Sequence, residues 1–471
     1  MNFTIKTKSK HDSMASDNAI TKIFLFLIFL SLSAIFQWAS LHFGYKRYFF
    51  NAELLISFFL ISINKKLIGV LVFFFAIFQE IFLGMTSIFY LFNYAQIKTI
   101  ASFIFEAKIT YLISLAICLG FISALLFTAV RILKIFSWKR VLIFGILLSL
   151  IQATLSFRDG NFLQPSLMAR KDLFFGSASY FIQELQSINT QLFHLTSQEN
   201  VEYQPIQYQS AAKISIKDNP EEKILFIIAE SWGKPKDDRV LEQQISFLRS
   251  SINTKDLHLG KIHALGATIF GEFRELCGKT PTKLKFKNIP SEALADCMPA
   301  SLYAKGYKTI SLHGAHGTMY DRLQWYPAVG FHEMIFKEVL PISDKKECHS
   351  FPGYCDRYLF DIATEKLASP SKTFLYWLTL NSHTPYDRRD IIEYDKSKCQ
   401  SVFGESYVDQ LCTYHQLHSQ FFKGLSEMIK SSQLKGVKVI IVGDHAPIFN
   451  DESSRQQFEP DEVPMMYFTV Q

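Results

Sequence analysis

Residues 20–157 are dense in Phe, Leu and Ile, and only from about residue 158 does the chain take on the polar mixture of a water-soluble domain. A helix that crosses a bilayer needs about 20 apolar residues and satisfies its own backbone groups. Five stretches of that kind can be drawn, at 23–42, 49–63, 67–92, 109–132 and 141–157, the second and fifth being short. This block restricts the first third of the chain to a helical membrane domain and leaves all soluble chemistry to the remaining two thirds.

Charge sets the direction of the spans. With the N-terminus inside, the cytoplasmic segments hold Lys6, Lys8, Lys10, Lys22, Lys65, Lys66, Arg131, Lys134, Lys139 and Arg140, and the external loops only Lys46, Arg47, Lys98 and Lys108. That excess fits the positive-inside rule. Five spans then place everything after about residue 158 outside the cytoplasm. No small-residue cleavage site follows the first span, so it reads as an anchor and not a removable leader. Glu80 lies inside a span and is read as facing neighbouring helices or a lipid-entry groove. Glu53, near a span end, is read as facing the interface. The net charge of +6 is largely explained by this topology and gives no reason to expect nucleic acid as a partner.

Cysteine placement agrees. Cys118 lies in a span, whereas Cys277, Cys297, Cys348, Cys355, Cys399 and Cys412 all lie in the soluble part. An even number in an oxidising compartment suggests disulfides over six buried thiols, and a periplasm is the natural compartment. Sequence neighbours suggest the pairs Cys277–Cys297, Cys348–Cys355 and Cys399–Cys412.

The domain reading is a cytoplasmic tail at 1–19, a transmembrane domain at 20–157, a linker at 158–222 and a catalytic domain at 223–471. Within the linker, 171–186 has helical apolar spacing and suits either the membrane surface or packing against the soluble domain. From 223 onward, strand-like runs at 223–229, 307–312, 373–380, 437–442 and 464–470 alternate with helical patterns at 236–251, 269–277, 297–305, 356–368 and 405–431. That alternation predicts an α/β domain with a largely parallel sheet, whose ligands bind at the carboxyl ends of the strands.

Two of those ends carry metal-ligand residues, Glu230 after the first run and Asp444-His445 after the fourth. One acid at a strand end commonly caps a helix or makes a surface ion pair. Two acids and an imidazole at two strand ends, with the hydroxyl of Thr268 between them in sequence, suit a divalent cation and an alcohol nucleophile. Gly266 and Gly271 allow a tight turn around Thr268, and a helix starting there would help stabilise an alkoxide. Ser231 is the rival hydroxyl and reads as a support for the ligands. Two more clusters follow strands: His313, His316, Tyr320 and Arg322 in SLHGAHGTMYDR, and His383 in LNSHTPY. Histidine and arginine there suit phosphate oxygens and a leaving group.

These motifs resemble the membrane-bound branch of the alkaline phosphatase and sulfatase superfamily. The nearest likeness is to lipoteichoic acid synthases and related phosphoglycerol transferases, with lipid A phosphoethanolamine transferases more distant. The resemblance runs over nearly the whole chain and implies five spans, a linker and one extracytoplasmic domain of alkaline phosphatase/sulfatase-like fold. It implies Glu230, Thr268, Asp444 and His445 as ligands of one or two divalent metal ions, zinc or manganese, with magnesium a third option. It makes Thr268 the covalent nucleophile, and His313, Tyr320, Arg322 and His383 contacts of the head group or phosphate. Tyr320 stands where the synthases have tryptophan. The six external cysteines resemble instead the disulfide-bearing phosphoethanolamine transferases.

The implied reaction is transfer of a phospholipid head group from phosphatidylglycerol or phosphatidylethanolamine, through Thr268, to an envelope glycan or glycolipid. It would take place at a bacterial inner membrane with the catalytic domain in the periplasm. His383 would protonate the departing diacylglycerol. A hydrolase of the same superfamily and a non-catalytic envelope binding protein are the alternatives. Sulfate-ester hydrolysis is disfavoured: Cys297-Met-Pro-Ala-Ser301 lacks the arginine of the sulfatase cysteine motif.

Overall fold

The computed structural model describes residues 27–39, 51–88, 109–133, 138–158, 203–216, 220–264, 266–281, 286, 289–343, 346–404, 407–449 and 451–471. The segment 171–186 lies outside them. The chain divides into two compact units, Met1–Ser197 and Gln198–Gln471.

The described residues of the first unit form the helices α1 Leu27–Ala39, α2 Ala52–Ser62, α3 Lys66–Ile88, α4 Ile109–Leu133 and α5 Trp138–Arg158. Among the described residues one helix is long and apolar enough to cross a membrane, Leu112–Leu133. α2 and α3 form a close hairpin: Ser57 Oγ donates to the Gly69 carbonyl at 2.7 Å, and a Cβ on Gly69 would lie 2.6 Å from Ile61. Glu80 does turn to a neighbouring helix, accepting from Asn51 Nδ2 at 2.8 Å. Glu53 does not face an interface. It is 4% exposed, in the first turn of α2, where an acid complements the helix N-terminus.

The second unit is built on a seven-stranded sheet in the order β3-β9-β8-β2-β7-β5-β6. The strands are β2 Lys223–Ala229, β3 Thr254–His263, β5 Lys308–His313, β6 Glu333–Ile335, β7 Thr373–Leu378, β8 Lys438–Gly443 and β9 Glu462–Val470. A separate ribbon pairs β1 Tyr203–Pro205 with β4 Lys279–Pro281. β8, β2, β7, β5 and β6 run parallel, and β9 is antiparallel to both β8 and β3. β2, β7, β8 and β5 are buried along nearly their whole length, as a parallel sheet covered on both faces requires.

Each face has its own apolar layer. On one, α7 Asp238–Arg249, α10 Phe360–Ala368 and α11 Asp409–Met428 enclose Leu225, Ile227, Trp232 and Trp377, with Trp377 against Phe421 at 5.5 Å. On the other lie α8 Thr268–Cys277 and α9 Arg322–Val329, joined by a stack of Phe273 on Trp325 at 4.5 Å. A short helix, α6 Ala211–Ser215, also docks on α8: Ala212 N donates to Glu275 Oε2 at 2.9 Å.

Three disulfides join Cys277–Cys297, Cys348–Cys355 and Cys399–Cys412. β3 departs from the sequence reading, which places no strand there. It is a polar edge strand, little buried, with a register shift between Lys255 and His258, so it lacks an alternating apolar face. α9 is likewise invisible to pattern reading. It contains Pro327 and follows two left-handed residues, Tyr320 (φ 53°) and Asp321 (φ 54°).

Candidate active site

Neighbouring parallel strands bring their carboxyl ends to one edge of the sheet. The β2–β8 register pairs Ala229 with Gly443, so Glu230 and Asp444 emerge side by side. His445 comes next, and its Nε2 lies 3.6 Å from Glu230 Oε1 and 3.4 Å from Asp444 Oδ2. Thr268, the first residue of α8, places Oγ1 3.1 Å from Glu230 Oε2 and 3.5 Å from His445 Nε2. All four are at least nine-tenths buried.

The donor set fits a divalent cation. Ligand atoms of Glu230, Asp444 and His445 lie within 4.8 Å of one another. Asp444 Oδ1 accepts from Ser231 N at 2.7 Å and from His445 N at 2.8 Å, but Oδ2 is buried with no hydrogen-bond donor among the described residues. Burial and then the Glu230 charge push the Asp444 carboxyl up to about 6. For His445, burial acts downward, but Asp444 and Glu230 outweigh it and hold the imidazole above its usual range. Its Nδ1 faces the Ala446 carbonyl at 2.8 Å, which assigns the proton there and leaves the Nε2 lone pair for a cation. Without a metal the two buried carboxylates draw His445 toward its charged form, and a bound cation would supply that positive charge in its place.

The packing is specific to this purpose. Ser231, in a left-handed conformation (φ 56°), touches both acids, donating Oγ to Glu230 Oε1 at 2.9 Å and N to Asp444. Gly266 (φ +85°) makes the turn ahead of Thr268, as its sequence position suggests. Gly271 has a different role from the one read in the sequence. It lies inside α8 and allows close approach, because a Cβ there would sit 2.7 Å from Asp444 Cβ. Sequence reasoning misses Arg274. Its Nη1 and Nη2 donate to the carbonyls of Asp444 (3.0 Å) and Gly443 (2.6 Å), and its Nε to Glu275. No local pattern marks it.

The next two strands carry the histidines. β5 and β7 pair His313 with Leu378, and His313 Nδ1 meets the Leu378 carbonyl at 2.9 Å. Burial, then the Arg322 charge, lowers His313 to about 3. His383 holds its Nδ1 against the Thr384 carbonyl and packs against Phe351 at 4.3 Å. Desolvation lowers it to about 4. Both imidazoles are therefore neutral near pH 7, and their Nδ1 contacts assign the proton there and the lone pair to Nε2. Arg322 lies beneath the Tyr320 ring at 5.2 Å, and burial raises the Tyr320 phenol. Arg322 also has an internal partner that the sequence does not signal, Glu272 on α8.

Asp356 accepts from Leu380 N and Asn381 N and so anchors the loop that leads to His383. Cys348, Cys355 and Asp390 form another ligand-like cluster, but the two sulfurs are bonded to each other. Cys297 is buried in its own disulfide, which removes it as a modifiable cysteine.

A family model described as Sulfatase matches residues 222–468. Lipoteichoic acid synthase 1 of Bacillus subtilis (strain 168) is 29% identical over 154 residues, which make up 31% of this chain and 23% of the relative. The match thus spans under a quarter of that curated relative's length. Among solved structures, the lipoteichoic acid synthase from Listeria monocytogenes is 19% identical with a TM-score of 0.40, over 54% of this chain and 68% of the other. The Streptococcus pyogenes phosphoglycerol transferase in complex with sn-glycerol-1-phosphate is 16% identical with a TM-score of 0.40, over 57% of this chain and 78% of the other. Because the family match takes in more than half of the 471 residues, the chain belongs to the sulfatase family.

Proposed function

We propose that this protein is a membrane-anchored, metal-dependent transferase. It moves a phospholipid head group, phosphoglycerol or phosphoethanolamine, through a covalent bond to Thr268 onto an envelope glycan or glycolipid. The observation that carries the reading is the placement of Thr268 Oγ1 at a helix N-terminus, 3.1 Å from Glu230 Oε2 and 3.5 Å from His445 Nε2. Likeness to a relative named as a synthase, which builds a product, supports transfer over hydrolysis. The proposed organisation is a tail at 1–19, five spans within 20–157, a linker at 158–222 and a periplasmic catalytic domain at 223–471 of a bacterial inner-membrane protein. Anchoring keeps the site near its lipid donor and raises its local concentration.

Glu230, Thr268, Asp444 and His445 would hold one or two divalent ions, zinc or manganese, with magnesium a third option. Bound there, a cation supplies the positive charge that acidifies a hydroxyl and stabilises phosphoryl oxygens. Thr268 Oγ1 attacks phosphorus, the bond to the diacylglyceryl oxygen breaks, and the head group stays on Thr268 as a phosphodiester. His383 starts neutral, so it can take the proton that Thr268 Oγ1 gives up on attack and pass it to the departing diacylglyceryl oxygen. In the second half-reaction its Nε2 accepts the proton of the acceptor hydroxyl, which displaces the head group from Thr268. Arg322, Tyr320 and His313 orient the phosphate and head group.

The test is mass spectrometry of the peptide holding Thr268 after incubation with phosphatidylglycerol or phosphatidylethanolamine and metal. A head-group adduct on wild type, absent in Thr268→Ala, is expected and would also name the donor. An unmodified Thr268 peptide after both incubations, in a preparation that releases diacylglycerol, would overturn the covalent route.

A further inference from the structure

One buried carboxylate gathers three side chains, and none of the steps above uses it. Glu272 lies one turn beyond Thr268 on α8 and is fully buried. Arg322 forks onto it side-on, Nη2 to Oε2 at 2.8 Å and Nε to both oxygens at 3.2 Å. The phenols of Tyr326 and Tyr376 donate to Oε1, Tyr376 at 3.3 Å.

A buried ion pair is a poor stabilising device, because the desolvation of both ions offsets their attraction and apolar groups of similar volume often do as well. Its position suggests what retains it. Glu272 shares a helix with the proposed nucleophile. The Arg322 charge reaches both His313 and His383, so the guanidinium borders the substrate loops. The side-on fork uses Nε and Nη2. Among the described residues, the hydrogen bond from Nη1 is a long one, 3.5 Å to the Met319 carbonyl.

We infer that Glu272 is a positioning residue, which fixes the Arg322 guanidinium relative to Thr268 so that its Nη1 edge meets the phosphoryl oxygens of the ester under attack. This rests on the phosphotransfer reading of the site. Charge alone makes the opposite forecast: deleting a carboxylate next to an anion site tightens anion binding. Deleting a brace weakens it, because an arginine released from its fork no longer presents a fixed donor edge.

The experiment is calorimetric titration of inorganic phosphate into the manganese-loaded, full-length protein in detergent. It compares wild type with Glu272→Gln, Glu272→Asp and Arg322→Ala, and kcat and KM for phosphatidylglycerol turnover are measured alongside. Glu272→Gln and Arg322→Ala should each weaken phosphate by about tenfold or more, the size of a lost charge-assisted hydrogen bond. Glu272→Asp keeps the charge and should fall in between, and manganese affinity should stay at the wild-type value in all three. kcat should drop more than KM rises, since the contact strengthens in the transition state. If Glu272→Gln does not fold, Tyr376→Phe removes one brace and leaves the ion pair intact, and it should weaken phosphate by a smaller factor. Phosphate bound as tightly or more tightly by Glu272→Gln, while Arg322→Ala loses it, would overturn the inference and leave the proposed function standing. Wild type that binds no phosphate would remove both.

Discussion

Arg274 Nη1 donates to the backbone carbonyl of Asp444 at 3.0 Å, across 170 residues of sequence. With the bond from Nη2 to Gly443, this ties the helix that begins at Thr268 to the strand that ends in the proposed metal ligands. Arg274→Met keeps volume but takes the guanidinium from two carbonyls and leaves the buried Glu275 carboxylate with the Ala212 N–H and no counter-charge. Breaking a buried ion pair on one side costs about 3–5 kcal/mol. The expected result is a lower melting temperature together with weaker manganese binding, read by calorimetry. Loss of stability with metal affinity unchanged would confine Arg274 to a structural role.

Gly271 supports the same contact sterically. A Cβ there meets Asp444 Cβ at 2.7 Å and Asp444 Cα at 3.0 Å, and Asp444 is fully buried. Gly271→Ala raises helix propensity by about 1 kcal/mol, yet overpacking costs about 1–3 kcal/mol. The variant should therefore be destabilised overall and lose most of its turnover. An active, stabilised variant would show that α8 can shift without disturbing the site.

Much of the site is legible in the sequence because β2, β7 and β8 are short apolar runs that end abruptly in polar residues. A parallel sheet turns such ends into neighbours, so Glu230 and Asp444-His445 can be paired from the pattern of runs alone. The partners of buried charges are not legible. Glu272 and Arg274 read as ordinary helix charges, and Arg322 reads as a phosphate contact with no internal partner, since their partners lie 50 to 170 residues away. β3 escapes for a related reason: its pairing comes from β9 and not from a pattern of its own.

Metal binding should register as stability as well as activity. Asp444 Oδ2 is buried with no donor among the described residues, and Asp444 sits beside the Glu230 charge. A cation at 100 times its dissociation constant adds about 2.7 kcal/mol to the folded state. Chelation should therefore lower the melting temperature of wild type, and manganese or zinc should restore it. Asp444→Asn removes one ligand charge and the carboxylate repulsion together. It should melt no lower than metal-free wild type and should respond little to added metal. An undiminished response in that variant would exclude Asp444 as a ligand.

The Cys348–Cys355 loop is a strut beneath the substrate loops. Tyr354 N donates to the Gly314 carbonyl at 2.9 Å, Asn381 Nδ2 reaches Cys348 Sγ at 3.0 Å, and Phe351 packs on His383. Replacing both cysteines by serine releases a short loop and should cost about 2 kcal/mol. Turnover should fall as well, although every residue assigned to the chemistry is intact. A urea melt and a steady-state assay on the same preparation separate the two effects. Normal turnover after the stability loss would show that the loop does not align His383.

Acid stability tests the buried face of α11. His418 is buried between Tyr414 and Phe422, its Nε2 has no hydrogen-bond partner among the described residues, and burial lowers it to about 3. His415, whose Nε2 meets Gln243 Oε1 at 2.6 Å, is lowered to about 4. Both folded values lie below the unfolded value of about 6.5. The unfolded chain therefore takes up protons first, and the stability present above pH 6.5 is lost as pH falls toward the folded values. Asp356 works in the opposite direction. Its carboxyl is raised to about 7 by burial, so its contribution is present at low pH and is lost as pH rises. The wild-type profile mixes these effects, but a difference measurement isolates one of them. Relative to wild type, His418→Leu should gain about 1.4 kcal/mol per pH unit between pH 6.5 and 4. Parallel urea-unfolding curves for the two proteins across that window would mean that His418 is already charged in the folded domain.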